Sequence, residues 1–236
     1  MRYQIICVAA TGLAALAMPG GLSAQASQQH STTPVPTGTA NARDNRPSGF
    51  MLNVHSVGVP GLEIGGAEDQ GQNGAFNTSF GAGAGVTLGW GFNSIFSAFT
   101  SVDLAKQNTA PTDTPQGSWG LVHLELGARA NVPFGTMATV PYVTASYGGR
   151  ALATQATFED GEKADVSLSG HYFGLGAGIE HAFSRTMAVD AGVDLGFGKF
   201  SHVKVDGDET TDSVNPTRSI RMRLGVTWRP GGGRTS

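Results

Sequence analysis

From Met187 to Phe197 every odd position is apolar and every even one is Ala, Asp or Gly. Successive side chains of a strand point to opposite faces, so this stretch has one apolar face and one small or charged face. The same rhythm recurs in about eight segments, at roughly 49–62, 78–91, 95–107, 118–133, 138–154, 169–183, 187–203 and 217–229. Short connections near Phe92-Asn93-Ser94, Gly135-Thr136-Met137 and Ser184-Arg185-Thr186 alternate with long polar ones at 65–77, 108–117, 156–168 and 206–216. Eight antiparallel strands joined this way put every short turn at one end and every long loop at the other. The expected fold is all-β, an eight-stranded antiparallel barrel closed on itself so that no edge is left unpaired.

The faces can be read strand by strand. Phe80, Ala82, Ala84, Val86, Leu88 and Trp90 oppose Ser79, Gly81, Gly83, Gly85, Thr87 and Gly89. Val122, Leu124, Leu126, Ala128, Ala130, Val132 and Phe134 oppose His123, Glu125, Arg129 and Asn131, and Phe173, Leu175, Ala177, Ile179 and Phe183 oppose Tyr172, Gly174, Gly176, Gly178 and Glu180. The fifth segment is ambiguous around Tyr142 to Tyr147. The chain has 35 glycines in 236 residues, about twice the ordinary usage of ~7%. An eight-stranded barrel has an interior only wide enough for side chains to fill, so glycines on the inward face make room for longer groups. Aromatic residues gather at segment ends: Trp90, Phe92, Phe96, Phe134, Phe183 and Trp228 by the short turns, Phe80, Phe173, Phe197 and Phe200 by the long loops. Aromatic girdles at both bilayer interfaces are expected of a membrane barrel.

The first residues point to export. Arg2 precedes an apolar run, Ile5 to Met18, too short to span a bilayer, and Ala24-Gln25-Ala26 offers the small-x-small cleavage pattern. Residues 1–26 are read as a signal peptide. The lone cysteine, Cys7, lies inside that run, so the mature chain has no thiol for a disulfide or a metal site. Residues 27–48 are rich in Gln, Ser, Thr, Pro and Asn and are read as a disordered linker. The barrel is expected over 49–229 and a short tail over 230–236. The formal charge of −3 deepens when Arg2 leaves with the leader, which argues against nucleic acid as a partner. A mean hydropathy of −0.09 does not argue against a membrane, because a spanning strand exposes only alternate residues to lipid.

The last segment, Ile220 to Trp228, alternates and closes on an aromatic. It resembles the C-terminal strand signal read by the outer-membrane barrel assembly machinery, with Arg223, Gly225 and Trp228 at the matching positions. The tail Arg229 to Ser236 departs from that pattern, since many such chains stop at the aromatic. With the run Gly174 to Phe183, the chain over 49–229 resembles the small eight-stranded bacterial outer-membrane barrels of the OmpA, OmpX and opacity-protein kind. The resemblance implies a transmembrane barrel with short periplasmic turns and long extracellular loops, outer-membrane lipid and the assembly machinery as partners, and outer-membrane localisation in a Gram-negative envelope. It implies no single activity.

Inward parity collects Asp103, Glu125, Glu180, Asp190 and Asp194 with Arg129, Arg221 and Arg223. Unpaired charges at that depth would be costly, so a polar plug of paired groups is expected. No catalytic residue, cofactor site or metal site is assigned. None of the six histidines is followed two positions later by serine, the arrangement used by lipid A deacylase barrels. His171 follows the apolar parity and His202 the opposite one, which argues against a shared site, while His55, His123 and His181 stand as polar fillers or interfacial residues rather than ligands. The long loops carry Glu68, Asp69, Asp113, Glu159, Asp160, Glu162, Asp165, Asp206, Asp208, Glu209 and Asp212, a surface for an extracellular ligand or surface partner. Oxygen ligands at Asp206-Gly207-Asp208-Glu209 would suit a hard cation but lack a fuller calcium-loop spacing. The expected function is a non-enzymatic outer-membrane barrel with a structural or surface-interaction role. The alternatives are a small transport barrel for ions or an apolar ligand, and a soluble secreted lipocalin-like barrel with the apolar stripes turned inward.

Overall fold

A computed structural model describes residues 49–64, 76–77, 80–108, 118–132, 138–157, 163–210 and 214–230. The leader 1–26, the linker 27–48, the tail from 231, the turn holding Phe134 and most loop acids, Glu68, Asp69, Asp113, Glu159, Asp160, Glu162 and Asp212, lie outside them. Eight long strands follow: β1 (Gly49–Ile64), β2 (Gly81–Gly91), β3 (Phe96–Asn108), β4 (Ser118–Asn131), β5 (Thr139–Thr157), β6 (Lys163–Ala182), β7 (Met187–Val205) and β8 (Val214–Trp228). Each pairs antiparallel with the next, and β8 pairs with β1 from Leu52↔Trp228 to Ile64↔Thr217, which closes the barrel. Two short strands, Phe76–Asn77 and Asp208–Thr210, pair antiparallel with the ends of β1 and β7 at the long-loop end.

Two described short turns are tightened by side chains. Asn93 Oδ1 accepts from the backbone N–H groups of Ile95 (2.8 Å) and Phe96 (2.7 Å), and Ser184 Oγ accepts from Met187 N–H at 2.9 Å. Both polar residues mimic a backbone turn, which lets so few residues reverse the chain.

The apolar stripes face outward. Leu126 is 68% exposed, and Phe80, Leu88, Trp90, Leu104, Leu124, Leu175, Ile179, Leu195 and Leu224 are exposed with it. This excludes the arrangement that a lipocalin-like reading requires, in which the same stripes line the interior. In β5, Tyr142 points inward and Tyr147 outward, which resolves the ambiguous segment.

Near the long-loop end the polarity inverts. In β4, Trp119 and Leu121 point in while Val122, Leu124 and Leu126 point out, so the apolar residues change parity between 121 and 122. Leu152 of β5 and Ala164 and Leu168 of β6 likewise point in, beyond the outward Tyr147 and Phe173. Trp119, Leu121, Leu152 and Leu168 build a buried apolar cluster at this end of the barrel with Val57, Val59, Leu62 and Phe200. There Lys106, Ser118, Lys163, Asp165, Lys199 and Lys204 face out, as on a water-soluble barrel.

Three sequence expectations are corrected here. The loop expected over 156–168 is in part strand, because β5 and β6 continue in register to Thr157↔Lys163 and the run Ala164-Asp165-Val166-Ser167-Leu168 alternates with apolar residues inward. Phe200, expected in the outer aromatic girdle, is fully buried in the apolar cluster. His202 faces outward with His171, because a bulge at Ser201 inserts one residue between the pairs Phe200↔Gly170 and His202↔Ser169 and reverses the parity beyond it. Further bulges hold Pro60 in β1 and Pro216 in β8, positions where a residue without an N–H costs the ladder nothing.

The segment Asp206-Gly207, expected among the loop acids as a weak cation ligand, forms the two-residue turn between β7 and the strand Asp208–Thr210. Both residues have positive φ, 52° and 92°, as an Asp-Gly hairpin turn requires. Asp206 Oδ1 is occupied by Asp165 N–H at 2.9 Å. On the outer face of this hairpin His202 Nδ1 lies 2.7 Å from Glu209 Oε1, a hydrogen bond that, with the Lys204 charge, holds the Glu209 carboxyl below its ordinary value.

Candidate functional site

The barrel interior is layered. Nearest the short turns, Arg129 of β4 donates through Nη2 to Glu180 (2.8 Å) and through Nη1 to Asp190 (3.2 Å), and its guanidinium lies 3.7 Å over the Tyr142 ring. The Tyr142 hydroxyl donates to Asp190 at 2.9 Å. Arg229, one residue past β8, reaches Glu180 with both terminal nitrogens, at 2.8 and 2.6 Å. The paired guanidinium groups leave no carboxylate of this layer without a cation.

The central layer is built around Glu125. Its Oε2 accepts from Arg221 Nη2 (2.8 Å), the Tyr172 hydroxyl (2.5 Å) and Ser146 Oγ (3.0 Å), and its Oε1 from Arg223 Nη1 at 3.2 Å. Arg221 also donates to Asp103 Oδ2 at 2.7 Å, and Arg223 Nη2 reaches both Asp194 oxygens at 2.9 and 2.8 Å. Asp103 Oδ1 is 2.8 Å from His55 Nε2, and Thr144 donates to Asp194 at 3.3 Å. Arg221 on β8 therefore binds Asp103 on β3 and Glu125 on β4, across the lumen rather than along the wall.

All eight charged residues expected from inward parity lie in these two layers. The sequence reading put Tyr172 on the inward face and took His55 for a polar filler or interfacial residue without assigning either to the network, and it missed Tyr142 and Arg229. Tyrosine sits on either face of a barrel strand, so parity alone did not commit Tyr142. Arg229 stood beyond the aromatic that seemed to end the strand.

Glycines open the space these side chains fill. A Cβ at Gly85 would strike the Asp103 carboxylate and His55, one at Gly176 would strike Asp194 and Thr144, and one at Gly178 would strike the Tyr142 ring. A cavity remains in the short-turn half, between Met51, Phe99, Arg129, Tyr142, Asp190 and Arg223. It meets the central layer at Arg223, and the apolar cluster lies beyond.

The assembly-signal positions are on the closing strand. Arg223 belongs to the central layer, and a Cβ at Gly225 would meet His55 and the Val54 carbonyl, each at 2.6 Å. Trp228 points outward at the seam, paired with Leu52 and Met187.

These features define a closed eight-stranded antiparallel barrel of the kind found in small outer-membrane proteins. Neisserial surface protein A superposes with a TM-score of 0.53 at 16% identity, covering 78% of this chain and 98% of that one. OprG from Pseudomonas aeruginosa gives 0.46 at 13% identity over 79% of this chain and 97% of its own, and Ail of Yersinia pestis 0.46 at 13% over 77% and 99%. No family model and no curated protein matches the sequence.

Proposed function

We propose that this protein is a non-enzymatic barrel of the bacterial outer membrane with a structural or surface-interaction role, and that its lumen does not serve as a diffusion pore. The observation that carries the reading is the pairing of an outward apolar band with an interior filled by ion pairs. The band runs from Val122 on β4 to Val132 just past its end and from Phe173 on β6 to Phe183 just past its end, close to the ~9–11 residues a tilted spanning strand needs. In this reading the band contacts lipid, the barrel assembly machinery reads Arg223, Gly225 and Trp228, and the inverted-polarity end with its acidic loops meets any partner outside the cell.

A small transport role is the second reading, favoured by the cavity in the short-turn half. Against it stand the Arg221–Glu125–Arg223 layer and the apolar cluster, which follow one another along the same axis. Planar-bilayer recording of the refolded protein separates the two. We expect no stable porin-sized current from the parent barrel, and raised conductance with lower stability from Arg221→Ala with Arg223→Ala. Steady large currents from the parent would put transport first.

A further inference from the structure

Between the ionic layer and the apolar cluster lies a set of buried polar groups that the network does not use. Arg150 of β5 is 2% exposed, and its Nε, Nη1 and Nη2 have no hydrogen-bond partner among the described residues. Its neighbour across the β4–β5 ladder is His123, 1% exposed, with both ring nitrogens unpartnered. Both surround one aromatic ring. The Tyr172 centroid is 5.7 Å from the Arg150 guanidinium carbon, 5.0 Å from the His123 ring and 5.3 Å from the Arg221 guanidinium carbon, whose Nε is also unused. The hydroxyls of Ser219 and Thr217 on β8 are unpartnered as well. Ser219 reaches this ring over Gly196, where a Cβ would lie 2.5 Å from Ser219 Oγ and 3.6 Å from Tyr172 Cδ2.

Arg150 cannot borrow a counter-charge from the layer below. The oxygens of Asp103 and Glu125 and Asp194 Oδ1 accept hydrogen bonds from Arg221, Arg223, His55, Tyr172, Ser146 and Thr144, and Asp194 Oδ2, which accepts none, is held by its ion pair to Arg223 Nη2 at 2.8 Å. The faces of the guanidinium meet aromatic rings, Phe200 at 5.0 Å and Tyr172, but its edge N–H groups point to none of these acceptors. Donors outnumber acceptors among the unpaired atoms, and a second cation, the Arg221 guanidinium, lies over the same Tyr172 ring. Water could accept from these N–H groups, yet it carries no charge to offset a cation enclosed between ion pairs and hydrocarbon.

We propose that Arg150, with His123 and the hydroxyls of Ser219 and Thr217, binds one small monovalent inorganic anion of the halide class inside the barrel. The anion completes the interior on the side where Arg150 has no carboxylate. Its size is limited by Leu152, Leu168 and Phe200 above and the Tyr172–Glu125–Arg221 layer below. It is taken up as the barrel closes, not exchanged through an open pore.

The test refolds the full mature chain into phosphatidylcholine vesicles at one fixed sodium concentration, with chloride, bromide or gluconate as the anion. The expected result is a higher urea midpoint in chloride and bromide than in gluconate, with the difference lost in Arg150→Met. Crystals grown in bromide should show one anomalous peak within hydrogen-bond distance of Arg150, a measurement that stands even where the variant does not fold. Equal midpoints in chloride and gluconate, a halide effect undiminished in Arg150→Met, or bromide found only at the surface would each overturn the proposal and leave the layer to water. Planar-bilayer currents are not read in this experiment, so its failure is distinct from failure of the sealed-lumen reading.

Discussion

Glu125 is where the interior is most vulnerable, since Arg221, Arg223, Tyr172 and Ser146 all donate to its one carboxylate. Removing one member of a buried ion pair leaves its partner charged and uncompensated, at a cost of about 3–5 kcal/mol. Glu125→Ala should lower the unfolding free energy by up to about that amount, because it takes one carboxylate from two guanidinium groups at once, leaving Arg221 only Asp103 and Arg223 only Asp194. Tyr172→Phe removes a single hydrogen bond to the same oxygen and should cost only about 1–3 kcal/mol. Urea unfolding of both variants in lipid vesicles checks the ranking, and equal losses would mean that the hydroxyl, not the charge balance, holds this layer. The asymmetry comes from desolvation: a phenol can be deleted with its hydrogen bond, whereas a charge left behind must stay.

At the scale of the strand, glycine placement and side-chain charge are one design. Gly176→Val should displace Asp194 and Thr144 and cut the yield of folded barrel sharply, while Ala177→Val, one residue on and facing outward, should be tolerated. Heat-modifiable gel migration after refolding reads both outcomes. Much of this was legible in the sequence, because a period of two fixes which residues share a face: the eight lumen charges and the outward stripes follow from parity. What parity could not carry was any feature that changes it. Ser201 is an ordinary residue, yet as the extra residue of a bulge it turns His202 outward. The reversal of apolar parity at Leu168, Leu152 and Leu121, odd to even in the first two and even to odd in the third, marks where each strand passes from an outward apolar face to an inward one. That signal was present in the sequence, but short alternating runs next to loop acids read as loop. The pairing of Arg221 with Asp103 was not legible at all, since it joins strands that are not neighbours.

For the molecule as a whole, the proposed outer-membrane placement puts the inverted-polarity end outside the cell. A tag inserted at Gly207, in the Asp-Gly turn, should be labelled on intact cells, and labelling only after permeabilisation would reverse the orientation. The cross-lumen pairs have a mechanical consequence. Hydrogen bonds around the wall fix its circumference but leave its outline free to flatten, as a hoop can be squeezed into an ellipse. Arg221 spans from β8 to β3 and β4, Arg223 from β8 to β4, and Arg129 from β4 to β6 and β7, so they act as spokes. Flattening the barrel in any direction that lengthens a spoke pulls a guanidinium off its carboxylate in a medium that offers no replacement. The cross-section is thereby held round by its own contents, and the β1–β8 seam cannot part sideways without first breaking the spokes anchored on β8.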